Sequence, residues 1–141
     1  MSPAPHVYRG TVRRGMAPLD GSAHTYLMFT HVSHLEPTFC IAPNQSPLSE
    51  SFTTIRIGPM SGERLMSVMR AVYNDSKHLE MEGVSVESEQ TDMSFDVDEV
   101  EDKYCRICID GNIIRVRSGA QLSVKMYSGV KIGEREMFLY V

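Results

Sequence analysis

The chain has no tryptophan, only three cysteines in 141 residues, and no glycine-rich phosphate loop of either common kind. Each absence excludes something. Without a G-x-x-x-x-G-K-[ST] stretch, or a G-x-G-x-x-G after a strand, nothing in these residues cradles a triphosphate or a dinucleotide through backbone amides. Without a G-x-S-x-G elbow there is no activated serine of the hydrolase type. An odd and small number of cysteines argues against a disulfide framework and for a reducing compartment. No apolar run approaches the roughly 20 residues that a membrane-spanning helix needs. The segment Met1-Ser2-Pro3-Ala4-Pro5-His6 lacks the basic patch and apolar core of a secretory signal, so the expected location is cytoplasmic. A formal net charge of -4 argues against a broad electrostatic grip on nucleic acid.

What is present suits a soluble globular domain. Hydrophobic residues make up 42% and charged residues 23%, and the length fits a single domain over residues 1–141 with a real core. No internal repeat or long linker divides it. Apolar, β-branched and aromatic runs predict strands over residues 6–11, 26–32, 38–42, 84–86, 93–97, 104–109, 113–117, 122–126 and 137–140. Between residues 6–11 and a turn at 17–22, Val12-Arg13-Arg14-Gly15 reads as an exposed basic stretch. Residues 52–57 alternate with period two and are expected to turn one face inward.

One helix is expected over about residues 62–74. At the helical period Leu65, Met66, Val68, Met69, Val72 and Tyr73 share one arc, with Glu63, Arg64, Ser67, Arg70 and Asn74 opposite. Ser61 is placed to cap it and Glu63 suits its positive start. Many strands around one amphipathic helix predict an α+β fold, a mostly antiparallel β-sandwich with one main helix.

Few residue groups suggest chemistry. Cys105 and Cys108 form a C-x-x-C, but on a strand positions three apart point to opposite faces, and no second pair of ligands stands nearby. His31 and His34 fall on opposite faces of a strand for the same reason. The acidic stretch from Asp92 to Asp102 lacks the glycine and glutamate of an EF-hand loop and reads as a solvated connection. No metal site is expected. Asp110-Gly111, between two apolar alternating runs, predicts a type I′ hairpin turn.

The order of these pieces carries a resemblance. Tyr26-Leu27-Met28-Phe29 leads to Phe39-Cys40-Ile41-Ala42-Pro43, then to Thr54-Ile55-Arg56-Ile57 and the helix Arg64-Leu65-Met66-Ser67-Val68-Met69-Arg70. Lys77-His78-Leu79-Glu80 follows, and Ile109-Asp110-Gly111-Asn112 closes the series. From about Tyr8 to Ile132 this resembles the C-terminal half of the sphingosine, ceramide and diacylglycerol kinases. There an Ala-Pro loop, a Leu/Met-rich helix, a Gly-x-His element and an Asp-Gly-Glu turn occur in this order. Two departures stand out. Ser76 occupies the place of the glycine, and Asn112 that of the glutamate, where an amide cannot supply a carboxylate's charge.

The resemblance implies the lipid-substrate-binding portion of an ATP-dependent lipid kinase that phosphorylates a primary hydroxyl of a sphingoid base, diacylglycerol or similar lipid. Leu35, Phe39, Leu65, Val68, Met69, Val72 and His78 would line the lipid pocket. Ten methionines suit an adaptable apolar wall. Asp110, Gly111 and Asn112 would reach the nucleotide or its Mg²⁺. The family's Gly-Gly-Asp-Gly loop and catalytic aspartate lie upstream of this region and are not among these residues. No catalytic residue is therefore expected here, and ATP and Mg²⁺ would require a second chain or fragment carrying the nucleotide-binding domain. Peripheral membrane contact would follow from such a substrate. Two other readings compete: a non-catalytic lipid-binding or regulatory module of the same fold, and an NAD kinase-like C-terminal domain.

Overall fold

The computed structural model describes residues 4–126 and 138–140. In chain order the strands are β1 (Tyr8–Arg9), β2 (Val12–Arg14), β3 (Ala17–Pro18), β4 (Ala23–His24), β5 (Tyr26–Thr30), β6 (His34–Glu36), β7 (Phe39–Cys40) and β8 (Phe52–Ile57). Helix α1 (Gly62–Val72) comes next. Then follow β9 (Val84–Glu89), β10 (Met93–Asp96), β11 (Arg106–Ile109), β12 (Asn112–Arg115), β13 (Gln121–Lys125) and β14 (Phe138–Tyr140). Short 3-10 turns lie at Lys77–Glu80 and Asp102–Tyr104. The fold is α+β and mostly antiparallel, with one α-helix among the described residues. Residue 137, expected in the last strand, lies outside the described residues.

Two sheets face each other. The larger has strand order β14-β13-β10-β2-β3, antiparallel throughout except for the β13–β14 pair. The smaller has the order β5-β8-β9 and is antiparallel. Val12, Met93, Phe95, Leu122 and Val124 of the larger sheet meet Phe52 of the smaller, with Leu27 and Phe29 packed against them. The Phe29 ring lies 5.6 Å from that of Phe95 and 6.3 Å from that of Phe52. On the other face of the smaller sheet, Ile41, Ala42, Ile55 and Val72 form a second core, flanked by Tyr26, Met28, Phe39 and Val86. The layers are therefore helix, three-stranded sheet, five-stranded sheet.

This layering corrects several sequence expectations. Strand β8, expected to turn one face inward, turns both inward. Its neighbours and both layers cover it, so only Arg56 among its six residues is not fully buried. Residues 12–14 are not an exposed basic stretch. They form β2 inside the larger sheet, with Val12 fully buried. The strand expected over residues 6–11 is interrupted at Gly10, where a Cβ would come within 1.8 Å of the Asp96 carbonyl oxygen. Only glycine lets the two backbones approach so closely. The acidic stretch from Asp92 to Asp102 is no simple solvated connection. It contains β10, whose Met93 and Phe95 point into the core while Asp96 turns outward to Arg13.

Helix α1 starts where its cap predicts. The Ser61 hydroxyl accepts from the Arg64 amide at 3.2 Å, and the helix ends with Tyr73 as its C-terminal cap. Its inward stripe is narrower than the expected arc. Val68 and Val72 are buried, whereas Met66 and Tyr73 are about half exposed. One helix on one sheet fully covers a single line of side chains, and the flanking Leu65 and Met69 are only half-buried.

Candidate functional site

The residues that carry the resemblance meet in three places. The first joins the Ala-Pro loop to the end of the helical segment. After α1 the chain turns through Asp75 and Ser76, both in the left-handed region with φ of 52° and 56°. That reversal brings the Ser76 hydroxyl to the Cys40 carbonyl, to which it donates at 2.7 Å. It also places His78, 1% exposed, with Nε2 2.9 Å from the Ile41 carbonyl oxygen. A carbonyl only accepts, so Nε2 is the protonated nitrogen. The other ring nitrogen, Nδ1, is buried with no hydrogen-bond partner among the described residues.

The second place is the apolar layer beside this junction. Val72 sits in the core with Ile41, Ala42 and Ile55, and Phe39 packs against it. Val68 is buried in the same stripe, while Leu65 and Met69 are half-buried beside it. The Phe39 ring makes an edge contact with Tyr73 at 4.9 Å between centroids. Leu35 lies on the exposed strand β6, 46% accessible. Of the seven expected lipid-contacting residues, Phe39, Val72 and His78 thus gather around the Ile41 loop, and Val68 is buried on the same helix. Leu65 and Met69 border that layer, and Leu35 is on the surface.

The third place is the Asp-Gly turn. Asp110 has φ 48° and Gly111 φ 83°, the two successive left-handed residues of a type I′ turn. It closes β11 on β12 with Ile109 opposite Asn112. Asp110, Gly111 and Asn112 are all exposed. Neither the carboxylate of Asp110 nor the amide of Asn112 has a side-chain partner among the described residues. The turn thus presents a free carboxylate to solvent, chemically able to meet a cation or a hydroxyl.

Other polar groups were not legible in the sequence. Arg14 reaches from the larger sheet to the smaller, donating from Nε and Nη2 to Glu89 at 2.6 and 2.7 Å and from Nη2 to Glu87 at 2.6 Å. Glu89 is 1% exposed. Hydrogen bonding to Glu89 raises the Arg14 pKa further above its usual range. The Ser85 hydroxyl first, and then the charge of Arg14, holds Glu87 below the usual carboxylate range. The strand expected at residues 84–86 runs on to Glu89 because β8 pairs with it along its whole length, up to Phe52 opposite Glu89. Elsewhere, Glu99 is buried and accepts from the Arg9 amide at 2.8 Å, with His6 Nε2 at 3.1 Å. The His6 ring stacks on Tyr104 at 3.4 Å.

Cys105, which caps the Asp102–Tyr104 turn just before β11, is buried, and Cys108 on β11 is exposed. Burial first, and then the charge of Cys108, pushes the Tyr26 phenol up. Among the described residues no group of three His, Cys, Asp or Glu side chains could hold a metal ion. No helix among them is long and apolar enough to cross a membrane. No model of a known protein family matches this chain, and no curated protein matches it.

Proposed function

We propose that this chain is the lipid-substrate-binding portion of an ATP-dependent lipid kinase resembling the sphingosine and diacylglycerol kinases. The observation that carries the proposal is the junction between Cys40-Ile41 and Ser76-x-His78. These two elements of the resemblance are far apart in sequence, yet two hydrogen bonds tie them together beside the apolar helix stripe. The departure at Ser76 supports the reading as well. The position where the family has glycine is left-handed here, a conformation that glycine adopts without penalty.

On this reading Phe39, Leu65 and Met69 contribute apolar surface to an acyl or sphingoid chain, backed by Val68 and Val72. Leu35 would extend that surface. ATP and Mg²⁺ would be held mainly by a nucleotide-binding domain on a second chain or segment, which supplies the phosphoryl donor and its charge neutralisation. Asp110 and Asn112 would face that domain from the hairpin turn.

The test is saturable binding of a soluble fluorescent sphingosine or diacylglycerol analogue to the full chain, followed by anisotropy. Binding is expected, and Met69→Glu, at a half-buried position, should weaken it at least tenfold while helical circular dichroism is retained. No saturable binding of either analogue by the folded chain would overturn the proposal.

A further inference from the structure

Among the described residues, strands β11 and β12 pair only with each other, forming a two-stranded hairpin apart from both larger sheets. Its two faces differ. Residues directly opposite in an antiparallel pair share a face, and so do residues two apart along a strand. Ile107 packs against the larger core, so its face, shared with Ile114, is the inward one. The other face carries Arg106 opposite Arg115 and Cys108 opposite Ile113. Beyond β12 the Val116 amide donates to the Cys105 carbonyl at 2.9 Å and Val116 packs inward, which puts Arg117 on the same face as Arg115.

This face combines charge and apolar surface that the molecule leaves unused. Like charges directly opposite each other destabilise a hairpin. Asp102 offsets one of them, pairing with Arg115. The guanidinium groups of Arg106 and Arg117 have no ion pair or hydrogen bond among the described residues. Ile113, 70% exposed, lies on the same face, diagonal to Arg106 and two residues before Arg115. Asp110 is four residues along the strand from Arg106, about 13 Å at the usual rise per residue. That exceeds the screening length of about 8 Å at physiological salt, so the turn carboxylate does little to cancel the arginine field.

We propose that this outward face of the β11–β12 hairpin docks side-on to an anionic lipid bilayer. Arg106 and Arg117 would meet lipid phosphates and acidic head groups, and Ile113 would enter the head-group boundary. Basic side chains around an exposed aliphatic one fit the two components of an anionic interface, its negative surface potential and its apolar interior. The proposal rests on the lipid-kinase reading above, because that substrate resides in a membrane. It goes beyond that reading by naming a surface remote in sequence from the substrate layer.

The experiment is co-sedimentation of the full chain with phosphatidylcholine vesicles, with and without phosphatidylserine. Partition should rise with phosphatidylserine and fall with added salt. Arg106→Gln and Arg117→Gln should each lower it about fivefold, and Ile113→Ser should lower it at constant charge. All three positions are exposed, and each variant's thermal unfolding should match that of the parent. Equal binding to both vesicle types, or unchanged partition in all three variants, would overturn the proposal. Equal retention on single-stranded DNA with no gain from a bilayer would also overturn it, in favour of a general polyanion site. The soluble lipid analogue serves as the parallel readout. If the three variants bind it normally but lose the vesicles, docking is separate from substrate binding. If the parent binds the analogue but not the vesicles, docking falls and the substrate reading stands.

Discussion

Two buried side chains show how local polarity sets stability. His24 is buried, and Arg56 Nε points at its Nε2 from 3.3 Å. Burial, and then the charge of Arg56, lowers its pKa below the ordinary 6.5. The unfolded chain therefore takes up a proton that the folded chain refuses. Stability is fully present above the unfolded value and drains away as pH falls through the folded one. Between roughly pH 7 and pH 5 the urea midpoint of His24→Gln should fall less than that of the parent, since Gln keeps an acceptor for Arg56 without titrating. Equal slopes would assign the acid sensitivity to other groups. Thr54 offers a simpler case, because its hydroxyl is buried with no partner among the described residues. Thr54→Val removes an unsatisfied polar atom at almost constant volume and should raise stability by about 1 kcal/mol in urea unfolding. Neither effect was legible in the sequence. The alternation of β8 identifies a strand, but only the second layer seals Thr54 in.

At the scale of elements, caps and turns were the most legible features, because they depend on neighbours in the chain. Ser61 was placed as the helix cap and bonds the Arg64 amide. Ser61→Ala should cost about 1 kcal/mol, and Ser61→Gly only a few tenths. The Asp-Gly turn was equally plain. Gly111 has φ 83° and nothing within 4 Å of an added Cβ, so Gly111→Ala isolates backbone strain, worth about 1–2 kcal/mol. Asp110→Asn keeps a residue that tolerates φ 48°, so its fold should be unchanged. In an enzyme reconstituted with a nucleotide domain, the same variant should lower turnover or nucleotide affinity roughly tenfold to hundredfold, as loss of one charge-assisted contact does. Unchanged kinetics would leave the turn a hairpin connection only. The boundaries that shifted did so where an element needs a distant partner. Residues 113–117 were expected as a strand, yet β12 ends at Arg115: the Val116 amide adds one last bond to the Cys105 carbonyl, and beyond it no partner strand continues among the described residues.

Across the whole molecule, the Arg14 clasp links the two sheets. The guanidinium grips Glu89 through two nitrogens and shares Glu87, joining β2 to β9 across the sandwich edge. Its two ends are unequal: Glu89 is 1% exposed at the side chain and Arg14 35%. Removing the arginine strands a sealed carboxylate, so Arg14→Met should cost about 3 kcal/mol or more. Glu89→Leu should cost less, because Arg14 keeps Glu87 and a path to water. The double variant should recover much of the loss, as apolar replacements of buried pairs often do. Additive losses in the double-mutant cycle would show that the clasp has no coupling energy of its own.

What the amino-acid order determined is whatever rests on short-range physics. Period-two runs gave the strands, the Leu/Met/Val stripe gave the one helix, Ser61 its start, and Asp110-Gly111 the hairpin. From these came the α+β class and the mostly antiparallel pairing. The tertiary structure decided which polar residues would be buried and with whom. Val12-Arg13-Arg14 reads as a solvated basic stretch until β10 and β3 flank it, and Arg14 then crosses to the buried Glu89. His78, which the resemblance places in a lipid pocket, is sealed at 1% exposure with Nε2 donating to the Ile41 carbonyl. The reason is energetic. A buried charge or ring nitrogen is tolerable only once its partner is in place, and that partner comes from a distant segment brought close by packing the two cores.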